Sequence, residues 1–299
     1  MMLHLKTNKI NFLVIGAQKS GTSWLFKQFD KSSQITLPPI KELHYFDRSV
    51  DYLSPNFLAT TSLTSRLLNP IWTIKALKKL KKEKEHRDWY KKWFFSDYND
   101  EWYLSLFQEF KKCTGEITPS YAILNEEDVA NMSKLLGQDL KIIFMVRNPI
   151  ERAWSSYKYI NRKEQFTPSD FEKAKSFLFS DYQTLRSDYL NTMRLYKKYF
   201  KSVFIGFFDA ITENPRSLLL DVFQYLELDT SEVKHFNDLN KRVNASKNIK
   251  MPNDIEILLK NMYSQPISEL ASHYGSYFKK WDTADSLFET NDFKISLII

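Results

Sequence analysis

The chain has 299 residues, 43% of them hydrophobic, and a formal charge of +7 at pH 7, a composition that fills a sizeable core and excludes disorder as the default. No apolar run approaches the roughly eighteen residues of a membrane span, and the opening MMLHLKTNKINFLVIG lacks a secretory pattern, so a cytoplasmic protein without membrane association is expected. The single cysteine, Cys113, excludes an internal disulfide, and the basic balance favours an anionic partner.

The first predicted element is the apolar run Phe12–Ile15, short and β-rich, as expected of a parallel strand buried on both faces. It runs into Gly16, then Lys19-Ser20-Gly21-Thr22-Ser23, then a helix-like stretch over Thr22–Asp30. A loop opening a helix points backbone N–H groups and the positive end of the helix dipole at one spot, which suits a phosphate. Gly21 lets that backbone approach closely. The frame from Gly16 to Gly21 fits a Walker A loop, but Thr22 stands where its lysine belongs, and the lysine comes three residues early as Lys19.

Next comes KELHYFDR, with Glu42 and His44. If the segment is extended, Glu42 and His44 share one face and Lys41 and Leu43 the other. Glu42 is the candidate general base, its alternative a surface ion pair with Lys41 or Arg48; His44 either joins the catalysis or orients Glu42.

From Ser49 to Lys112 strand signals are missing, and Trp72, Trp89, Trp93 and Trp102 stand among many lysines, so a helical insertion over about 49–112 is predicted. Its basic run, from Lys75 through Lys78, Lys79, Lys81, Lys82 and Lys84 to Lys92, is either a polyanion-binding surface or a solvated helix face. No RNP-like or zinc-finger pattern accompanies it, so nucleic acid is not an expected partner.

The apolar run Ile142–Val146 ends at Arg147, with Pro149 where a helix over Ile150–Asn161 would begin and Ser155 further along it. Arg147 can grip a phosphate bidentately and Ser155 can add a donor, a second anion site; Arg152 between them suits either a structural pair or the ligand. A third run, Val203–Phe207, precedes a helix-like stretch over Pro215–Leu226. Strand-then-helix repetition predicts one α/β domain, 1–299, with a central parallel sheet whose ligands sit beyond the carboxyl ends of the strands.

These residues carry a family resemblance. GAQKSGTSW resembles the 5′-phosphosulfate loop of sulfotransferases that use 3′-phosphoadenosine 5′-phosphosulfate (PAPS), and RNPIERAWSSY resembles their 3′-phosphate motif, with the Arg-to-Ser spacing of eight kept. KELHYFDR is similar to the base-bearing segment of the glycosaminoglycan and related bacterial branch, matching at Glu42 with His44 two residues on. GEITPSY, FFDAITENPRSLLLDVFQYLEL and RVNASKNIKMP look like further landmarks.

The resemblance implies a P-loop-like three-layer fold, PAPS as donor and adenosine 3′,5′-bisphosphate as product, no metal, and in-line transfer to a hydroxyl or amine of a glycan or small-molecule natural product. It assigns Lys19 to the bridging oxygen between phosphate and sulfur, where charge develops. Ser20, Gly21, Thr22, Ser23, Arg147, Ser155 and Lys247 then bind the nucleotide. In two places the chain departs from the pattern: Ile117 stands where glycosaminoglycan enzymes carry a lysine, and the loop around Lys247 is short. A nucleotide or small-molecule kinase shares the fold and loop frame but needs the lysine that Thr22 replaces. The non-enzymatic alternative is a polyanion-binding protein using the basic insertion.

Overall fold

The computed structural model describes residues 10–54, 62–107, 111–161, 165–241, 243, 249–282 and 294–299. Three strands with apolar, buried side chains form the spine of its sheet: β1 (Phe12–Gly16), β4 (Lys141–Val146) and β5 (Val203–Phe207). The three apolar runs of the sequence are these strands. Added to them are β2 (Ile35–Thr36), β3 (Cys113–Ile117) and β6 (Ser296–Ile298), in the order β2-β3-β1-β4-β5-β6.

Strands β1 to β5 pair in parallel, whereas β6 runs antiparallel along β5. The sequence reading lacks β3 because Thr114, Gly115 and Glu116 interrupt the apolar pattern. Gly115 is required there by close approach, since a Cβ would sit 2.3 Å from the Phe12 carbonyl oxygen on β1.

Helix α1 (Thr22–Lys31) follows β1, and between β2 and β3 lie α2 (Leu63–Leu68), α3 (Pro70–Lys82), α4 (Arg87–Phe95) and α5 (Asp100–Ser105). Asn69 ends α2 and caps α3, its side chain accepting from the N–H groups of Ile71 and Trp72, with Pro70 at the first helical position. Helix α6 (Glu126–Leu136) leads into β4 and α7 (Pro149–Asn161) leaves it. Then come α8 (Phe171–Leu178), α9 (Asp181–Thr184) and α10 (Tyr189–Tyr199), and after β5 α11 (Phe208–Glu213), α12 (Pro215–Tyr225), α13 (Asn253–Tyr274) and α14 (Tyr277–Trp281).

The result is an α/β fold with helices flanking a mostly parallel sheet. Its chain reverses direction across the sheet at β1, with β3 on one side and β4 on the other. Ligands of such sheets bind beyond the strand ends at that reversal. Among the described residues no helix is long and apolar enough to cross a membrane.

Candidate active site at the carboxyl edge of the sheet

The turn after β1 leaves the start of a helix open. Lys19 and Gly21 both adopt left-handed backbone, at φ 69 and φ 92, and Gly21 precedes α1 without a side-chain cap or an acid in the first turn. The opening amides of α1 therefore lack a side-chain acceptor, and the dipole end is uncompensated. Ser20 is fully buried and its N–H donates to the Ala17 carbonyl at 3.2 Å.

Arg147 leaves β4, the strand hydrogen-bonded to β1, and Ser155 sits on α7 about two turns further on. The two cationic groups sense each other. Burial lowers the Lys19 ammonium to about 8, and of the neighbouring charges that add to this Arg147 is the strongest, followed by Lys41 and Lys158. Arg147, Lys41 and Lys158 are thus near enough for their charges to act on Lys19. Arg147 is held in place by Glu151, at 2.9 Å from its Nη2, and by the Phe208 ring 4.2 Å below the guanidinium; the Lys19 ammonium lies 4.1 Å from the centre of the Tyr159 ring.

Arg152 belongs to the scaffold. It is fully buried and donates to Ser187 Oγ at 2.8 Å and to the Gln183 carbonyl and side-chain oxygens at 2.9 Å. Lys247 lies outside the described residues.

The segment bearing Glu42 is not extended, which corrects the alternation expected from sequence. Glu42 and His44 are both left-handed, at φ 67 and φ 56, a conformation costly for residues with a Cβ and kept only where the surroundings impose it. The imposing groups come from β3 and the turn after it. The N–H groups of Glu42, Leu43 and Tyr45 donate at 3.0 Å to the Ile117 carbonyl, Thr118 Oγ1 and Tyr121 Oη.

Thr118 and Tyr121 can accept because both donate their own protons to Glu116, at 2.7 and 2.9 Å, and Tyr103 adds a third donor at 2.6 Å. Glu116 is buried, and that burial raises its pKa despite the three hydroxyls. This network explains a carboxylate in the middle of the sheet: it orients the two hydroxyls that grip the strained segment.

That backbone brings Lys41 and Glu42 to the same place. Lys41 Nζ lies 2.6 Å from Glu42 Oε1 and reaches Thr22 Oγ1 at 3.4 Å and Ser23 Oγ at 3.3 Å, so one ammonium ties the carboxylate to the first turn of α1. Arg48 is not the partner; it donates to the Tyr45 carbonyl and covers the Tyr45 ring.

His44 stands between two carboxylates, with Nδ1 2.7 Å from Asp47 Oδ2 and Nε2 3.7 Å from Glu42 Oε2. Burial alone would favour neutral imidazole, but these partners raise it to about 9. Burial would likewise raise Glu42, yet His44 and Lys41 outweigh it and hold the carboxyl at about 2. At neutral pH the pair is therefore imidazolium and carboxylate. Sequence reasoning offered Lys41 only as an ion-pair partner of Glu42, a pairing the structure shows, and missed Asp47 and Lys158. Asp47, three residues past His44 in the quoted motif, was the findable one.

Glu42 and His44 open onto a cleft of about 850 Å³ whose opposite wall is α3 and α4, including Trp72, Lys78 and Phe94. Of the four insertion tryptophans, Trp72 and Trp93 line this cleft, whereas Trp102 is buried and donates to the Lys92 carbonyl, and Trp89 donates to that of Leu106. Cys113 is buried in β3, and burial pushes its thiol up to about 12, away from reactivity.

An α/β sheet with a phosphate-type loop, a facing arginine on the neighbouring strand and a carboxylate at the mouth of a cleft defines a group-transfer fold of the P-loop type. The family profile described as "Sulfotransferase domain" matches residues 9–266, and the chain belongs to that family.

The fold is shared with a sulfotransferase from Alicyclobacillus acidocaldarius, at TM-score 0.61 and 19% identity over 91% of this chain and 98% of that one. The sulfotransferase domain of the Synechococcus PCC 7002 olefin synthase aligns at TM-score 0.47 and 17% identity over 88% of this chain and 96% of that one. In sequence, the chain is 30% identical over 149 residues to the membrane-associated sulfotransferase kil1 of Dictyostelium discoideum, a match spanning 50% of this chain and 22% of that protein.

Proposed function

We propose that the protein transfers a sulfuryl group from PAPS to a hydroxyl or amine of a glycan or small-molecule natural product. The observation that carries this reading is the meeting of Lys19, Arg147 and the Lys41–Glu42 pair at the ends of β1 and β4. The residues fit such a donor: an uncapped helix start and several cations suit a nucleotide with two phosphate groups.

In this reading the turn from Lys19 to Ser23 holds the 5′ side, and Arg147 with Ser155 holds the 3′-phosphate. Bound there, PAPS supplies a sulfuryl group already activated as a phosphate–sulfate anhydride. Lys19 would supply a positive charge to the oxygen on which negative charge grows, a contact stronger in the transition state than before it.

A Glu42 carboxylate oxygen takes the acceptor proton. With its carboxyl held near 2, Glu42 is ionised and ready at neutral pH, but weakly basic, so it removes the proton as attack acidifies the acceptor rather than beforehand. His44 and Lys41 keep the carboxylate charged and aimed.

Thermal-shift and calorimetric titrations test the reading. Adenosine 3′,5′-bisphosphate should stabilise the protein without magnesium, and incubation with PAPS and an acceptor library should yield products heavier by one sulfuryl group. Stabilisation by ATP with magnesium and none by the bisphosphate would establish a kinase instead.

A further inference from the structure

Helix α3 presents an unusual stripe to the cleft. Ile71, Ile74, Lys75, Lys78 and Lys82 all line it, at spacings of three or four that place them on one face of the helix. The amino-terminal part of this stripe is apolar and the carboxyl-terminal part is basic. With a rise of about 1.5 Å per residue, it runs roughly 16 Å from Ile71 to Lys82.

The two isoleucines are 79% and 52% exposed, beside the residues that carry the chemistry. Exposed apolar surface rimmed by charge marks a binding groove more often than a scattered surface leucine does. Charge is also unbalanced. Among the described residues five lysines line the cleft against one carboxylate, Glu42, which Lys41 already neutralises. Lys79 is engaged by Glu83 at 3.2 Å and lies 4.9 Å from the Tyr90 ring centre. Among the described residues Lys78 and Lys82 have no carboxylate within 4.0 Å.

Lysines in a last turn do complement a helix dipole, and Lys79, Lys81 and Lys82 occupy that turn. The dipole accounts for their number there, but not for Lys78 and Lys82 sharing a wall with exposed isoleucines above a carboxylate. A neutral sugar fits this wall poorly. Trp72 and Trp93 are packed against other rings, Trp72 edge-on to Phe94 at 5.5 Å and Trp93 stacked on Trp89 at 5.3 Å, which limits the flat faces left for stacking.

We propose that the acceptor is an anionic amphiphile, its apolar body lying along Ile71, Ile74 and Trp72 and its negative group held by Lys78 and Lys82. This rests on the sulfotransferase reading of the Glu42 site and adds the acceptor class. The negative group keeps its charge throughout; the hydroxyl presented to Glu42 is a different part of the molecule.

The test compares 12-hydroxydodecanoate with 1-dodecanol below their aggregation concentrations, and vesicles of phosphatidylglycerol with vesicles of phosphatidylcholine, by calorimetry on the full chain. The carboxylate should bind at least about tenfold more tightly than the alcohol. The double variant Lys78→Glu, Lys82→Glu should abolish this preference, and Lys78→Arg, Lys82→Arg should retain it. Discrimination seen only with phosphatidylglycerol vesicles, and lost in the same Glu variant, upholds the same chemistry with a lipid as its source.

Equal binding of carboxylate and alcohol together with no vesicle preference overturns the proposal, as does a preference that survives in the Glu variant. Adenosine 3′,5′-bisphosphate affinity is measured alongside and should be unchanged in both variants. A wild-type protein that binds the bisphosphate but ignores the charge of the amphiphile refutes the acceptor class alone, whereas one that fails to bind the bisphosphate removes the sulfotransferase reading beneath it.

Discussion

His44 holds its Nδ1 2.7 Å from Asp47 Oδ2 and turns Nε2 toward Glu42 at 3.7 Å, so a buried imidazole shares its charge with two acids. Folding raises its pKa from 6.5 to about 9. The folded ring binds a proton more tightly than the unfolded one, so its stabilisation is complete below about pH 6.5 and fades as pH rises through about 9. We expect urea midpoints to fall across that window, and His44→Gln to flatten the fall. Parallel profiles for wild type and variant would remove His44 as the cause.

Lys41 is the lever on the carboxylate. In Lys41→Met the burial that favours a neutral carboxyl loses one of its two opponents, and the pKa of Glu42, now about 2, moves up. The acid limb of the kcat/KM profile should shift to higher pH by about one unit or more. An unmoved limb would mean that Glu42 is not the titrating base.

Removing the base itself should separate chemistry from binding. We expect Glu42→Gln to lower kcat by roughly a hundredfold or more, with adenosine 3′,5′-bisphosphate binding little changed, since Glu42 lines the cleft and reaches the loop only through Lys41. Unchanged turnover excludes it from the mechanism.

Lys19 stands at about 8 in the free protein because burial and Arg147 disfavour its charge. A bound phosphate reverses that balance and restores the ammonium. Near pH 8.5, where the nucleotide phosphates are already ionised, binding of the bisphosphate should therefore take up protons, seen as a dependence of the calorimetric heat on buffer ionisation enthalpy. Lys19→Met should abolish the uptake; an identical uptake in the variant would place the titrating group elsewhere.

Arg147→Ala distinguishes the two proposed anion sites. Loss of a guanidinium-to-phosphate contact costs about 1.5–3 kcal/mol, so affinity for adenosine 3′,5′-bisphosphate should fall at least tenfold while that for 5′-AMP barely moves. Equal losses for both nucleotides would put Arg147 at the 5′ side.

The strand Phe12–Gly16, its loop and α1 were legible because the three are contiguous, and the chemistry of a short apolar run, a glycine and a helix start is local. Arg147 was legible for the same reason, as the residue on which a buried strand ends. The sequence also carried Glu42 and His44 as chemically competent side chains. Their direction was not local information.

By itself, then, the sequence determined the α/β class, the order of the two turns proposed to bind the nucleotide and the chemical inventory of the edge. Only the tertiary structure decided that Lys41 and Glu42 share a face, that Arg152 is scaffold, and that the basic helix walls the cleft. The physical reason is range: Glu42 and His44 take left-handed backbone because residues some seventy-five positions away in the chain grip their segment, Ile117 through its carbonyl and Thr118 and Tyr121 through hydroxyls that buried Glu116 orients.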